Sequence, residues 1–258
     1  AKPTSRPRPA TGAVRRSGHR GRSRSKGQLH PAGQPRHAGR QLAELFLRGL
    51  FGLAHRGVEG GRHQVLERVG KGIAQVIANA GADTVNGVTH DGRHVWAATG
   101  ERLVAFDPAT GTPARTLDHG CDAGTAFDGT HLYQLTEARI DKIDPTTGDC
   151  VSSIPAPGKG NDSGLAWAEG SLWVGQYRDR KIHQVDPDTG AVIRTIETNR
   201  FVTGVTWVDG ELWHGTWEGD ESDLRRIDPR SGDVLERVQM PEGVGVSGLE
   251  SDGQQLFY

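Results

Sequence analysis

The chain has 258 residues, room for one large domain or two ordinary ones, and its 34% hydrophobic content with 37 glycines is low for a packed globule but suits turn-rich β architecture. A net charge of −1 hides a division, because the first 80 residues carry +13 and the remainder −14. The two cysteines, Cys121 and Cys150, exclude a disulfide framework and a metal knuckle.

Residues 1–40 hold eleven Lys and Arg and no Asp or Glu, in low-complexity order with Ser, Gly, Pro and His. Such a segment buries too little apolar surface to offset its ordering entropy, so a disordered basic tail is expected. Clustered guanidinium groups over 18–27 suit weak contact with nucleic-acid phosphates, although no aromatic residue offers a stacking platform. Leu42, Leu45, Phe46, Leu50 and Leu53 recur at helical spacing, as do Val65, Leu66, Val69, Ile73, Val76 and Ile77. Two weak amphipathic helices are therefore expected over 41–80, interrupted by glycines and too short and charged to span a membrane. An Arg-rich, acid-poor start also fits a transit peptide, which leaves the compartment open.

From residue 82 onward the texture changes to short strands. Inner strands open around Gly87, Gly124, Gly164, Gly204 and Gly248, at separations of 37, 40, 40 and 44 residues. Second strands place Trp96, Tyr133, Trp173, Trp213 and Phe257 in one equivalent position. Turns of the form Asp-Pro-x-Thr/Ser-Gly begin at Asp107, Asp144, Asp186 and Asp228. Proline presets φ, the Asp side chain caps the amides that follow, and glycine takes the positive-φ position. A period near 40 residues with four strands per repeat identifies an all-β fold, a β-propeller of four-stranded antiparallel blades. Residues 82–258 hold four blades and part of a fifth, so a chain truncated at its C-terminus is expected. The aromatic column is expected to fill the spaces between blades.

The stretch Phe201–Thr216, FVTGVTWVDGELWHGT, with Ser222–Leu235 beyond it, resembles a blade of the plant-type glutamine cyclotransferase family. That blade runs roughly F-T-Q-G-L, then G-x-L-Y-E-S-T-G, then S-x-L-R-x-V-D-x-x-T-G-x-V-L. His131–Thr136 is similar to the family's L-Y-Q-L-T-W strand, and Asn161–Trp167 to its N-E-L-E segment. The rhythm Ile-Asp-Pro-x-Thr-Gly is equally similar to virginiamycin B lyase and other six- or seven-bladed bacterial propellers. The resemblance implies a small polar or peptide substrate at the central channel, with glutaminyl cyclisation or a metal-assisted lyase reaction as the chemistry. Thr203, His214 and Glu137 stand where the family has Gln, Glu and Trp, so part of its polar set is replaced.

Loops leading into the inner strands converge on the channel mouth, which makes Asn86, Asp122, Asn161, Asp162 and Ser247 candidates there. Asp122 and Asp162 are candidate ligands for a divalent cation, Ca²⁺ or Mg²⁺, held through oxygen; the alternative is that both accept backbone amides. Glu250 interrupts a column of Thr89, Ala126, Ala166 and Thr206, which makes it a candidate acid–base group beside Asp162 and His214. Tyr177, Trp217, Glu218 and Glu137 end second strands and are candidates for the rim of a substrate site. Two other classes remain open, a non-catalytic ligand- or protein-binding propeller and a nucleic-acid tether through residues 1–40.

Overall fold

The computed structural model describes residues 84–242, 245–251 and 256–257; the basic tail over 1–40 and the two helices read over 41–80 lie outside them. Blade 1 comprises β1 (Gly87–His90), β2 (Val95–Ala98), β3 (Gly100–Phe106) and β4 (Pro113–Cys121). Blade 2 comprises β5 (Thr125–Phe127), β6 (Leu132–Thr136), β7 (Arg139–Ile143) and β8 (Cys150–Pro155). Blade 3 follows with β9 (Asp162–Ala168), β10 (Ser171–Gln176), β11 (Lys181–Val185) and β12 (Val192–Glu197). Blade 4 has β13 (Val202–Val208), β14 (Glu211–Glu218), β15 (Glu221–Ile227) and β16 (Val234–Gln239). A two-stranded sheet, β17 (Glu250–Ser251) with β18 (Leu256–Phe257), begins a fifth. Every pairing is antiparallel between sequence neighbours, the simplest way to build a sheet from short turns. There is no helix among the described residues, and hence none long and apolar enough to cross a membrane.

The inner strands β1, β5, β9, β13 and β17 stand side by side around one axis, and β17 also lies against β1. Glycine is required at the first four of these junctions. A methyl group on Gly87 would lie 3.0 Å from Gly124 Cα, on Gly124 3.0 Å from Gly164 Cα, and on Gly164 3.0 Å from Gly204 Cα. On Gly204 it would lie 2.8 Å from the carbonyl carbon of Gly248, and on Gly248 it would reach Val88 Cγ2 at 3.9 Å. The roughly forty-residue spacing of these glycines thus marks the innermost contact of successive blades. The contact of β17 with β1 also corrects the expectation of six or seven blades. The described residues hold four complete blades and the inner half of a fifth, with no sector left between β17 and β1.

Between blades the core is aromatic and aliphatic. Trp96, Tyr133 and Trp173 are buried at the equivalent place in blades 1–3. Each meets an aromatic at the far end of the next blade's inner strand: Phe127 packs in the cluster of Trp96, and Trp167 stacks on Tyr133 with centroids 5.4 Å apart. Trp207 meets Trp173 at 5.5 Å. Such pairs add about 0.5–1.5 kcal/mol beyond the area they bury. The outer turns form as their residues require. Asp107 Oδ1 accepts the amides of Ala109 and Thr110 at 2.7 and 3.0 Å, and Asp144, Asp186 and Asp228 repeat the pattern. Gly111, Gly148, Gly190 and Gly232 all have positive φ, between 70° and 82°. Those amide hydrogen bonds hold the Asp107, Asp144 and Asp228 carboxyls below the usual range; at Asp186 the Thr189 hydroxyl does so first.

Both thiols are free. Cys121 closes β4, buried, with its thiol donating to Arg102 O at 3.0 Å, and burial pushes its pKa up. Cys150 opens β8 on the outer edge and is exposed.

Candidate functional site

Where the inner strands begin, the axis widens into a pocket of about 210 Å³, open solvent at its mouth included. It is lined by the inner glycines, by polar residues such as Asn86, Ser163 and Thr203, and by apolar ones such as Val88 and Leu165. Several of these make hydrogen bonds within the protein. Asn86 Nδ2 donates to Cys121 O at 3.0 Å, and the Ser163 hydroxyl lies 2.7 Å from Val202 O, across the junction of blades 3 and 4. Thr203 Oγ1 is buried without a hydrogen-bond partner. Among the described residues no carboxylate, imidazole or amine lines the pocket.

The ring of Asn86, Asp122, Asp162 and Glu250 expected from the sequence is therefore divided. Only Asn86 reaches the axis. Asp162, half-buried at the start of β9, accepts the Gly158 amide on both oxygens at 3.0 Å. Gln176 Nε2 stands 3.4 Å from its Oδ1. Burial pushes the Asp162 carboxyl above its ordinary pKa, against the pull of that amide and of Gln176. Asp122 is exposed and accepts the Glu137 amide at 2.8 Å, where Glu137 turns the chain with φ 47°. Both carboxylates accept backbone amides. Among the described residues no group of three or more His, Cys, Asp and Glu is placed to hold a metal ion.

Glu250 accepts the Thr206 hydroxyl at 3.1 Å, so its column neighbour in blade 4 reaches across to it. His214 lies elsewhere, opposite Val205 and Arg225 in the middle of blade 4, with no solvent exposure. Its Nδ1 is 3.3 Å from Gly215 O, and its Nε2 is buried without a partner. Burial pushes its pKa down to about 4, and the Arg225 charge adds to that against Gly215 O and Asp223. The ring is neutral at physiological pH and out of reach of any ligand at the axis. Asp162, Glu250 and His214 occupy three separate environments.

The mouth face over blades 3 and 4 gathers a different set. Tyr177 follows β10 and packs on Phe201 with centroids 4.8 Å apart, while the Arg180 guanidinium lies 4.9 Å over the Phe201 ring. Arg180 also pairs with Glu218. Arg200 donates to Glu218 O at 3.0 Å and Glu221 Oε2 at 3.1 Å. The Nε atoms of Arg180 and Arg200 are both buried without a hydrogen-bond partner. Asn161, exposed beside them, accepts the Tyr177 amide at 3.4 Å. Trp217 donates to Gly219 O at 3.1 Å, and its ring is so close to Gly245 that a methyl group there would stand 2.9 Å from Cε3. Tyr177 and Glu218 are thus brought together, and Asn161 adjoins them. Arg180, Arg200 and Phe201 complete the cluster and were not singled out from the sequence. Two signals pointed to them: Tyr177–Arg180 is the longest turn between second and third strands, and Arg200-Phe201 immediately precedes β13.

No protein-family model matches the chain, and no curated protein matches it in sequence. Among solved structures it is similar to the glutaminyl cyclase of Myxococcus xanthus, with a TM-score of 0.55 and 16% identity over 66% of this chain and 82% of that one. The likeness is one of fold. Hydrazine synthase of Kuenenia stuttgartiensis gives a TM-score of 0.45 at 18% identity, covering 60% of this chain and 49% of that chain. A Bacteroides caccae protein of unknown function gives 0.47 at 11%, covering 60% of each. The chain is a β-propeller whose blades resemble those of the glutaminyl cyclase in architecture, and at such identities no chemistry follows from the match.

Proposed function

We propose that this propeller binds rather than transforms its ligand, and that it does so on the mouth face of blades 3 and 4. The observation that carries the reading is the axial pocket, which among the described residues no titratable side chain lines. Cyclisation or elimination needs a proton carrier within hydrogen-bond reach of the reacting atom. Here Asp162, Glu250 and His214 are not among the residues that line that pocket. The mouth face offers the Tyr177–Phe201 ring pair beside the guanidinium groups of Arg180 and Arg200, which pair with Glu218. Those groups suit a short peptide or other small polar ligand presenting a carboxylate or carbonyl oxygen.

The test pairs binding with turnover. Peptides beginning with glutamine are titrated into the full chain, with release of ammonia followed in the same samples. Saturable binding without ammonia release is expected, with at least about tenfold weakening in Phe201→Ala, the loss of a stacked anchor. Ammonia release that disappears in Asp162→Asn would replace this reading with a catalytic one, for which the raised Asp162 pKa is the favouring observation.

A further inference from the structure

The two arginines of the mouth face meet over a carboxylate of the protein's own. Glu218 ends β14, and Arg180, in the turn between β10 and β11, pairs with it across the junction of blades 3 and 4. Arg200, just ahead of β13, also reaches that carboxylate, with Nε 3.9 Å from Oε2. The separation suits an ion pair but is too long for a hydrogen bond. The Nε atoms of both arginines are buried and lack a hydrogen-bond partner. Both are donors, so what each lacks is an acceptor.

Each guanidinium is held by contacts that do not need the Glu218 carboxylate. Arg180 lies 4.9 Å over the Phe201 ring. Arg200 donates to the backbone carbonyls of Glu218 and Glu221 at 3.0 and 3.2 Å, and to Glu221 Oε2 at 3.1 Å. The carboxylate has weaker support. Glu218 stands directly opposite Glu221 in the β14–β15 hairpin, and like charges in that register repel. Its side chain is 32% exposed and that of Arg180 42%, so water competes for their pair. The Arg200 side chain is only 14% exposed, and a guanidinium so enclosed holds a carboxylate more strongly than one in open water.

We infer that Glu218 is an internal competitor, its carboxylate occupying the place at Arg180 and Arg200 that a ligand carboxylate takes when it displaces Glu218. The class of ligand this selects is a short peptide with a free C-terminal carboxylate, whose last side chain meets Tyr177 and Phe201. Apparent affinity is then the intrinsic affinity reduced to the fraction of molecules in which Glu218 has swung aside. The inference rests on the mouth face being the binding site. The competing account is a Glu218 that merely ties blade 3 to blade 4, which predicts no link between this residue and the charge of the ligand.

Glutaminyl-phenylalanine and its C-terminal amide are the probes, titrated by calorimetry into the full chain, unsubstituted and as single variants. Glu218→Gln keeps the shape of the side chain and removes its charge. It is expected to tighten binding of the free acid at least about threefold, since an exposed ion pair no longer has to be displaced, and to leave the amide unchanged. Asp220→Asn removes an equal charge two residues along, where no pair with either arginine forms among the described residues, and is expected to do less. An equal gain from Asp220→Asn, tightening of both peptides alike, or weaker binding of the acid to Glu218→Gln overturns the inference. If Phe201→Ala weakens binding while Glu218→Gln does not discriminate acid from amide, the displacement fails and the mouth face stands. Binding indifferent to both substitutions, or no binding at all, overturns the site and the displacement together.

Discussion

Between neutral pH and about pH 4 the protein is expected to lose about 3 kcal/mol of stability that a His214→Met variant keeps. The sign follows from where the proton goes. In the folded chain His214 is enclosed and its pKa is driven down to about 4, whereas in the unfolded chain it titrates near 6.5. Below that value the unfolded state takes up a proton that the folded state refuses, so stability falls as pH drops. The loss stops near the folded pKa, where both states are protonated. The turn carboxylates Asp107, Asp144, Asp186 and Asp228 also lose their contribution in acid, but only as pH falls below the model-peptide value of 3.8. The two windows are therefore separable. Urea titrations of both proteins across this range test the point; parallel curves would mean that the imidazole is hydrated in solution.

Asp223→Ala is expected to cost about 3–5 kcal/mol, the largest single effect of any polar substitution in blade 4. Asp223 has no solvent exposure and accepts the Thr216 hydroxyl at 2.6 Å and Arg225 Nε at 2.9 Å, with Arg237 closing on its other oxygen. Burial acts to raise its pKa, but Arg225, Thr216 and Arg237 outweigh burial and hold the carboxyl below its ordinary range. Arg225 is itself 5% exposed and has one further side-chain partner, Asn199 Oδ1 at 2.5 Å. Removing the carboxylate strands a buried guanidinium. The double variant Asp223→Leu with Arg225→Met removes both charges and is expected to recover most of the loss. Melting temperatures of the three proteins check this, and equal losses in the single and double variants would contradict it.

Much of the fold was legible because its rules are local. The Asp-Pro-x-Thr/Ser-Gly turns announce themselves through proline, a capping carboxylate and a positive-φ glycine, and all four form as read. The inner glycines were legible through their period. Blade number was not, because the radius of the ring depends on how tightly those glycines meet, which spacing does not reveal. The site was less readable still. His214 and Glu250 stood out as departures from a column, but a column position does not say which side of a blade a residue faces. Phe201 and Arg180 meet across a blade junction from segments over twenty residues apart, and only packing brings them together. For Asp122 and Asp162 the sequence left metal ligation and amide capping both open, and the amides that each accepts, Glu137 and Gly158, are set by loop geometry.

Closure of the inner strands about the axis is the claim on which the pocket and the site both rest. It is tested most directly by nuclear Overhauser contacts in protein with labelled valine methyl groups. Val88 is predicted to show a contact to the Hα protons of Gly248, since a methyl group placed on Gly248 would lie 3.9 Å from Val88 Cγ2. If the neighbouring strand pairs show their contacts and Val88 shows none to Gly248, the ring is open and the axial pocket does not exist as described.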